Sequence, residues 1–264
     1  MTESSPQNCS TVAVAVNTLL VSLTLCFIAA CHSVEVARFL IKHGIDMVAQ
    51  TNDGSTLLHL ASGQGHVELA RLLIEHGAVP AAQTKNGSTP LHRTSIWGHV
   101  EVAQLLIEHG ADTATQTKDR STPLHRASLV EVVQFLIEHG VDMAAQTKDG
   151  LTPLHVASGQ GHVELGQFLV KNGANAAAQT KDRSTPLGLA SEQGSVELVC
   201  LLIEHSADVA AQTKDGVILL HWASSVEMAR LLIKHSTDAG TQTQDGSTPQ
   251  YGASSMGHRE VVAA

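Results

Sequence analysis

The stretch DGSTLLHLASGQGHVELARLLIEHGAVPAAQTK, residues 53–85, indicates the fold because its pattern recurs along the chain. It reads as a turn, a short helix, a Gly-rich turn and a second helix. Related openings start at positions 51, 84, 117, 147, 180, 213 and 243, so they lie 33 or 30 residues apart. A period near 33 is typical of a solenoid built from helix pairs.

Each part of the unit has a local physical cause. Asp-Gly favours a tight turn, and the Thr-Pro pair in most repeats places a capping hydroxyl just before a first helical proline. The second helix is apolar at Val67, Ala70, Leu73 and Ile74, which form one stripe at helical spacing. Gly77 then supplies a left-handed C-cap.

Three recurring strings resemble the ankyrin repeat: TPLH at the first helix, GH between the helices and LLIEHGAD at the end of the second. The resemblance covers about residues 34–264. It implies an all-α ankyrin-repeat solenoid of stacked antiparallel helix pairs with β-hairpin-like finger loops. It also implies that fingers and first helices form a concave face that binds proteins without catalysis. The chain departs from the family pattern at several positions. Arg120 and Arg183 replace the finger Gly, Gly188 replaces the motif His, Ile218 replaces the capping Thr, and Gln250 and Tyr251 replace Leu-His.

The repeats divide the chain into consecutive segments. We expect a polar N-terminus at 1–11, an apolar segment at 12–31, a partial repeat at 32–52, six repeats over 53–244 and a truncated repeat at 245–264. The six repeats are 53–85, 86–118, 119–148, 149–181, 182–214 and 215–244.

A longer period of 96 residues overlies the short one. The string ASGQGHVEL at 61–69 recurs unchanged at 157–165, which indicates duplication of a three-repeat block. The third repeat of each block has lost three residues, nearly one helical turn. We therefore predict abbreviated turns at 128–130 and 224–226.

The sixteen histidines follow the repeat, apart from His32. Equivalent positions in adjacent repeats lie about one helix-packing distance apart, ~8–10 Å. Ligands of one zinc ion must each lie about 2.0–2.1 Å from it, so a ladder of histidines cannot share a metal. The acids also recur, and no constellation occurs only once. We expect no metal site, no cofactor and no catalytic residues, and hence no enzyme.

Composition narrows the class of partner and the compartment. A net charge of −9 argues against nucleic-acid binding, which needs a basic patch. The four cysteines lack paired metal-type spacing and favour a reducing compartment. We expect a cytoplasmic or nuclear monomer whose partner is a protein.

The apolar segment 12–31 leaves alternatives open. Its twenty residues carry no charge and can just span a bilayer, and Arg38 and Lys42 after it would place the repeats in the cytosol as a single-pass membrane protein. In the 96-residue register, however, 23–33 aligns with 215–225 and reads as a degraded first helix that packs on the stack. A signal peptide fits less well, because a basic n-region is absent.

Positions that differ between repeats are the candidates for binding, because a partner must recognise differences. Trp and Arg are enriched at binding hot spots. Trp222 has a competing interpretation as core filler, and the pattern of the finger lysines favours solvated tips over a binding role. The candidates are Arg93, Ile96, Trp97, Arg126, Leu129, Glu192, Gln193 and Trp222 on first helices or just after them, and Leu151, Lys118, Lys148 and Lys181 in the fingers.

Together these features predict a non-catalytic protein–protein interaction module or adaptor that binds through its concave face. One alternative is a membrane-tethered adaptor anchored by 12–31. Another is a fragment of a longer ankyrin protein with an effector domain elsewhere, because the last repeat stops at Ala264 within its second helix.

Overall fold

The computed structural model describes residues 34–44, 46–223, 225–235 and 240–249. Over these ranges the regular structure is helical, and none of it is strand. The predictions for 1–11 and 12–31 lie outside the described residues. So do Gln250, Tyr251 and the residues that follow them.

The chain forms two compact units. The first comprises residues 1–118 and 122–141, and the second comprises residues 119–121 and 142–264. The helices of the first unit are α1 (Val34–Lys42), α2 (Leu57–Gln64), α3 (Val67–Glu75), α4 (Pro90–Trp97), α5 (Val100–Glu108), α6 (Pro123–Arg126) and α7 (Val130–Glu138). Those of the second are α8 (Pro153–Gly159), α9 (Val163–Lys171), α10 (Pro186–Gln193), α11 (Val196–Glu204), the 3₁₀ helix η1 (Leu219–Trp222) and α12 (Val226–Lys234).

Within each unit the helices stack as the resemblance implies. In the first unit, α4 packs against α2 and α6, while α5 packs against α3 and α7. In the second unit, α10 packs against α8 and η1, and α9 against α11. The core between the layers is aliphatic, with Leu106 and Leu136 fully buried in the first unit and Leu187 and Leu202 in the second. The prediction of an all-α fold of helix pairs is confirmed.

Fingers within a unit are joined through their backbones. The Lys85 amide donates to the Asp53 carbonyl at 2.8 Å, and the Lys118 amide to the Asn86 carbonyl at 2.8 Å. The same bond recurs in the second unit, from Lys181 to Asp149 at 2.9 Å. A side chain at a finger glycine meets this neighbour: a Cβ on Gly54 would lie 2.8 Å from the Lys85 nitrogen.

Arg120 and Arg183 take the left-handed conformation of the glycines they replace. Their φ angles are +63° and +64°, against +85° at Gly54. Left-handed backbone costs a residue with a side chain roughly 1–2 kcal/mol. The two arginine fingers therefore keep the turn of the repeat at a cost in stability.

The short repeats differ from their prediction in where the loss falls. Three residues, 127–129, connect α6 to α7, whereas two, 98–99, connect α4 to α5. The turn predicted at 128–130 is thus not abbreviated, and residue 224 of the turn predicted at 224–226 lies outside the described residues. Instead α6 and η1 have four residues each, against eight in α4. The second helix keeps its buried face. The three missing residues therefore shorten the first helix at its end.

Candidate functional site

The motif histidines brace the scaffold with both ring nitrogens. His59 Nδ1 accepts from the Thr56 amide at 3.1 Å, and its Nε2 donates to the Ser88 carbonyl of the next finger at 3.0 Å. Burial of the ring lowers the pKa of His59 to about 4, so the imidazole is neutral at pH 7. His155 and His221 bond the next finger in the same way, at 3.2 Å each.

The histidines at the ends of the second helices serve their own helices. His76 Nδ1 donates to the Leu72 carbonyl at 2.9 Å, and His109 Nδ1 to the Leu105 carbonyl at 2.8 Å. Helix carbonyls at this end lack partners within the helix. Among the residues described, His, Cys, Asp and Glu form no group of three or more that could hold a metal ion.

Trp97 is the last residue of α4, and its side chain is 62% exposed. The indole lies over Gly63 of α2, where a Cβ would sit 3.8 Å from Trp97 Cδ1 and equally close to Arg93 Cβ. Because Gly63 has no side chain, the indole lies close to the backbone of α2. Trp97 is therefore exposed and also supported.

Arg93, one turn before Trp97, reaches back to the preceding finger. Its Nη2 lies 3.6 Å from Asp53 Oδ2 and donates to Ser55 Oγ at 3.4 Å. The Thr51 hydroxyl also donates to Asp53 and is the main cause that lowers the pKa of this carboxyl to about 2. The carboxylate is therefore ionised at pH 7 and available to Arg93.

The short α6 changes what surrounds the end of α4. Ser128 follows α6, and its hydroxyl donates to the Ile96 carbonyl at 2.7 Å while its amide donates to the Ser95 carbonyl at 3.3 Å. Two carbonyls at the end of α4 thus gain partners from the next repeat. Ile96 itself is half-buried.

Leu129 comes next and packs on the C-cap of α4. It covers Gly98 so closely that a Cβ there would lie 2.1 Å from Leu129 Cδ1. Gly98 has φ +79°, so its backbone also favours glycine. Leu129 is still 47% exposed. We call Trp97 and Leu129, with Gly98 between them, the apolar ledge.

Trp222 lies in a different environment at the end of η1. It is half-buried, and its Cζ3 lies 3.0 Å from where a Cβ on Gly188 of α10 would be. Gly188 stands where other repeats carry the motif histidine. The tryptophan thus fills space that the missing histidine leaves, which agrees with the core-filling interpretation.

The other candidates are spread over first-helix ends and fingers. Glu192 and Gln193 are exposed at the end of α10, Arg126 is exposed on α6, and Leu151 is half-buried in its finger. Lys118, Lys148 and Lys181 are exposed, while their backbone amides bond the preceding fingers.

Sequence reasoning missed three residues that shape this surface, Gly63, Gly98 and Ser128. Gly63 lies in the last turn of α2 and Gly98 just after α4, and their contacts lie about one repeat away. The only sequence signal for Ser128 was its position just after the short helix.

The two blocks, 53–148 and 149–244, place different residues at equivalent positions of one scaffold. Positions 96 apart pair Trp97 with Gln193, Ile96 with Glu192 and Leu129 with Ser225. The same register pairs Arg93 with Leu189 and Arg126 with Trp222. The first block therefore exposes apolar and basic side chains where the second carries mostly polar or acidic ones.

No helix in the described ranges is long and apolar enough to cross a membrane.

Comparisons with known proteins agree with the repeat and its fold. A family model for ankyrin repeats matches three times, over residues 15–84, 80–147 and 124–213. The crystal structure of the human ASB11 ankyrin repeat domain is similar, at 26% identity and a TM-score of 0.74, and the match covers 81% of this chain and 98% of that one. No curated protein sequence matches. Because the model matches well over half of the chain, the chain belongs to the ankyrin repeat family.

Proposed function

We propose that the chain is a non-catalytic protein-binding module whose central contact is the apolar ledge of the first block. Ankyrin repeats are in general protein–protein interaction modules. The observation that carries the finer proposal is the exposure of Trp97 and Leu129, at 62% and 47%, on a supported surface. Exposed apolar patches on soluble proteins mark interaction sites more often than isolated apolar residues do.

The second block supports this choice of surface. Gln193 and Ser225 occupy the equivalent positions there, at the end of a first helix that also has eight residues and before a second helix that also has nine. The scaffold therefore does not need Trp or Leu at these places. Ser225 is even the better N-cap, because its hydroxyl accepts from the Met228 amide at 3.1 Å.

Support beneath the ledge favours tight binding. Trp97 rests on Gly63, and Leu129 is fixed between Gly98 and the start of α7. A side chain held in place before binding loses little conformational entropy on binding. Tryptophan is also the residue type most enriched at hot spots.

The remaining candidates have secondary roles in this proposal. Arg93 and Ile96 lie on α4 with Trp97, Arg126 ends α6 three residues before Leu129, and Lys118 belongs to a finger of the same unit. A net charge of −9 favours a protein over a nucleic acid as partner. Glu192, Gln193, Leu151, Lys148, Lys181 and Trp222 lie outside the proposed contact.

A comparative capture experiment tests the proposal. Wild-type chain and the variant Trp97→Gln/Leu129→Ser, which carries the second block's residues, would be used to capture proteins from the same lysate. We expect the variant to lose the specific partner while its urea unfolding midpoint stays within error.

The variant Glu192→Ala/Gln193→Ala is the matched control, because it changes two exposed first-helix residues of the second block. It should retain the partner. Equal capture by all three proteins would contradict the proposal, and so would a loss confined to the control.

A further inference from the structure

We infer that the ledge binds a short linear segment of its partner, with one large apolar side chain next to acidic residues. This inference rests on the proposed function and adds the chemistry of the ligand. Three features carry it: the area of the ledge, its shape and the charges beside it.

By itself, the ledge offers less area than a stable contact between two folded surfaces needs. A tryptophan has roughly 150–250 Å² to bury, so Trp97 and Leu129 at their observed exposures offer on the order of 200 Å². A stable interface between folded proteins buries about 800 Å² on each partner. The area of the ledge fits one large side chain of a bound segment.

The shape of the ledge follows from the short repeat. First helix α4 has eight residues and its neighbour α6 has four, a difference of about one helical turn. The last turn of α4, with Ile96 and Trp97, therefore extends past the end of α6. Leu129 closes the base of this step against Gly98.

Both helices that form the step carry an arginine, and Arg126 already has an interaction within the chain that a ligand carboxylate would replace. Arg93 and Arg126 occupy equivalent positions on α4 and α6, one repeat apart. The Asp53 carboxylate lies 3.6 Å from Arg93, and both side chains are more than one-third exposed, so this pair contributes little and can rearrange. Guanidinium groups bind carboxylates in a two-bond geometry, which favours Asp or Glu in the ligand.

This basic pair is specific to the ledge. The equivalent positions in the second block carry Leu189 and Trp222, so that block lacks both the apolar step and the two arginines. Within a chain of net charge −9, the ledge joins apolar surface to local positive charge. A ligand that is apolar and acidic matches both.

Peptide selection tests the inference directly. A random 12-residue peptide library displayed on phage would be selected on the immobilised full-length chain and depleted on the Trp97→Gln/Leu129→Ser variant. We expect the recovered peptides to share one aromatic or large aliphatic residue with Asp or Glu within a few positions. Their affinity should fall by about tenfold in Arg126→Glu, because a charge-assisted bond is replaced by repulsion. Arg183→Glu, a charge reversal in a finger of the second block, should leave it unchanged.

The outcomes separate this inference from the proposed function. Recovered peptides without acidic residues, or with equal affinity for Arg126→Glu, would overturn it. Failure to recover ledge-dependent peptides would also overturn it, whereas Trp97-dependent capture of a folded protein would still uphold the proposed function. If sedimentation shows that the wild type dimerises and the ledge variant does not, the ligand is a second copy and the inference is wrong.

Discussion

Trp97 and Trp222 are the only tryptophans of the chain, and the two blocks use them in opposite ways. Trp97 ends a full-length first helix and is 62% exposed above a glycine of the preceding repeat. Trp222 ends a first helix of four residues and fills the space beside Gly188. In the first block the indole is mostly exposed to solvent, and in the second it is half-buried and packs beside Gly188.

The difference indicates that the departures from the repeat at positions 188 and 222 compensate each other. Position 188 lost the motif histidine, and with it the ring that bonds the next finger in other repeats. Position 222 gained an indole that occupies the vacated volume. The first block has the ordinary pair, His92 and Arg126, at the same two positions. Variants that exchange these residues test whether the two blocks differ in this way.

The largest effect is expected from removing the packed tryptophan. Trp222→Ala should lower the free energy of unfolding by about 3 kcal/mol, because it opens a cavity next to Gly188. Trp97→Ala should change it by less than about 0.5 kcal/mol, because that side chain is mostly exposed. Urea unfolding of both variants checks this pair. Similar losses would show that the two tryptophans are not used differently.

Returning the motif histidine to the second block should also destabilise it. Gly188→His places a Cβ 3.0 Å from Trp222 Cζ3 and should cost about 2 kcal/mol through overpacking. The double variant Gly188→His/Trp222→Arg recreates the pair of the first block and should recover most of that loss. A double-mutant cycle measures the coupling, and additive effects would contradict the paired departure.

Acid should weaken the first block through its buried histidine. The folded-state pKa of His59 is about 4, below the ordinary histidine value of 6.5, so the unfolded chain binds more protons between these values. Stability is then complete above pH 6.5 and falls as the pH drops, by about 2 kcal/mol at pH 5. NMR titration of the His59 ring checks the cause, since protonation near pH 6.5 would contradict it.

The smallest effect concerns the glycine within the ledge. Gly98→Ala and Gly110→Ala both place a side chain at positive φ, +79° and +90°, but only the first meets Leu129. Gly98→Ala should cost about 1 kcal/mol more than Gly110→Ala, because Leu129 must move. Adding Leu129→Ala should remove the excess in thermal unfolding. An equal cost for both substitutions would show that Leu129 does not pack against Gly98.

The fold could be predicted from the sequence because its signals are local and repeated. Thr-Pro pairs, turn glycines and apolar stripes each act within a few residues, and the period multiplies the evidence. The short repeats were located correctly, but the loss falls on the first helix and not on the turn. That outcome depends on how α7 packs against α5, which no local pattern contains.

The surface was harder to predict because its contacts join neighbouring repeats. Trp97 and Trp222 each end a first helix, and local patterns indicated only that Trp222 had a core-filling alternative. The distinction comes from Gly63 under one ring and Gly188 beside the other, each 34 residues away. The 96-residue register does hold a signal, because Gly188 and Trp222 both differ from their partners in the first block.

The affinity of a captured partner tests the central claim most directly. Titration calorimetry would compare the wild type with Trp97→Gln/Leu129→Ser and with the control Glu192→Ala/Gln193→Ala. Loss of a hot spot worth 2 kcal/mol or more should weaken binding by the ledge variant at least about 30-fold, while the control binds like the wild type. Equal affinity of the wild type and the ledge variant would show that the partner binds elsewhere.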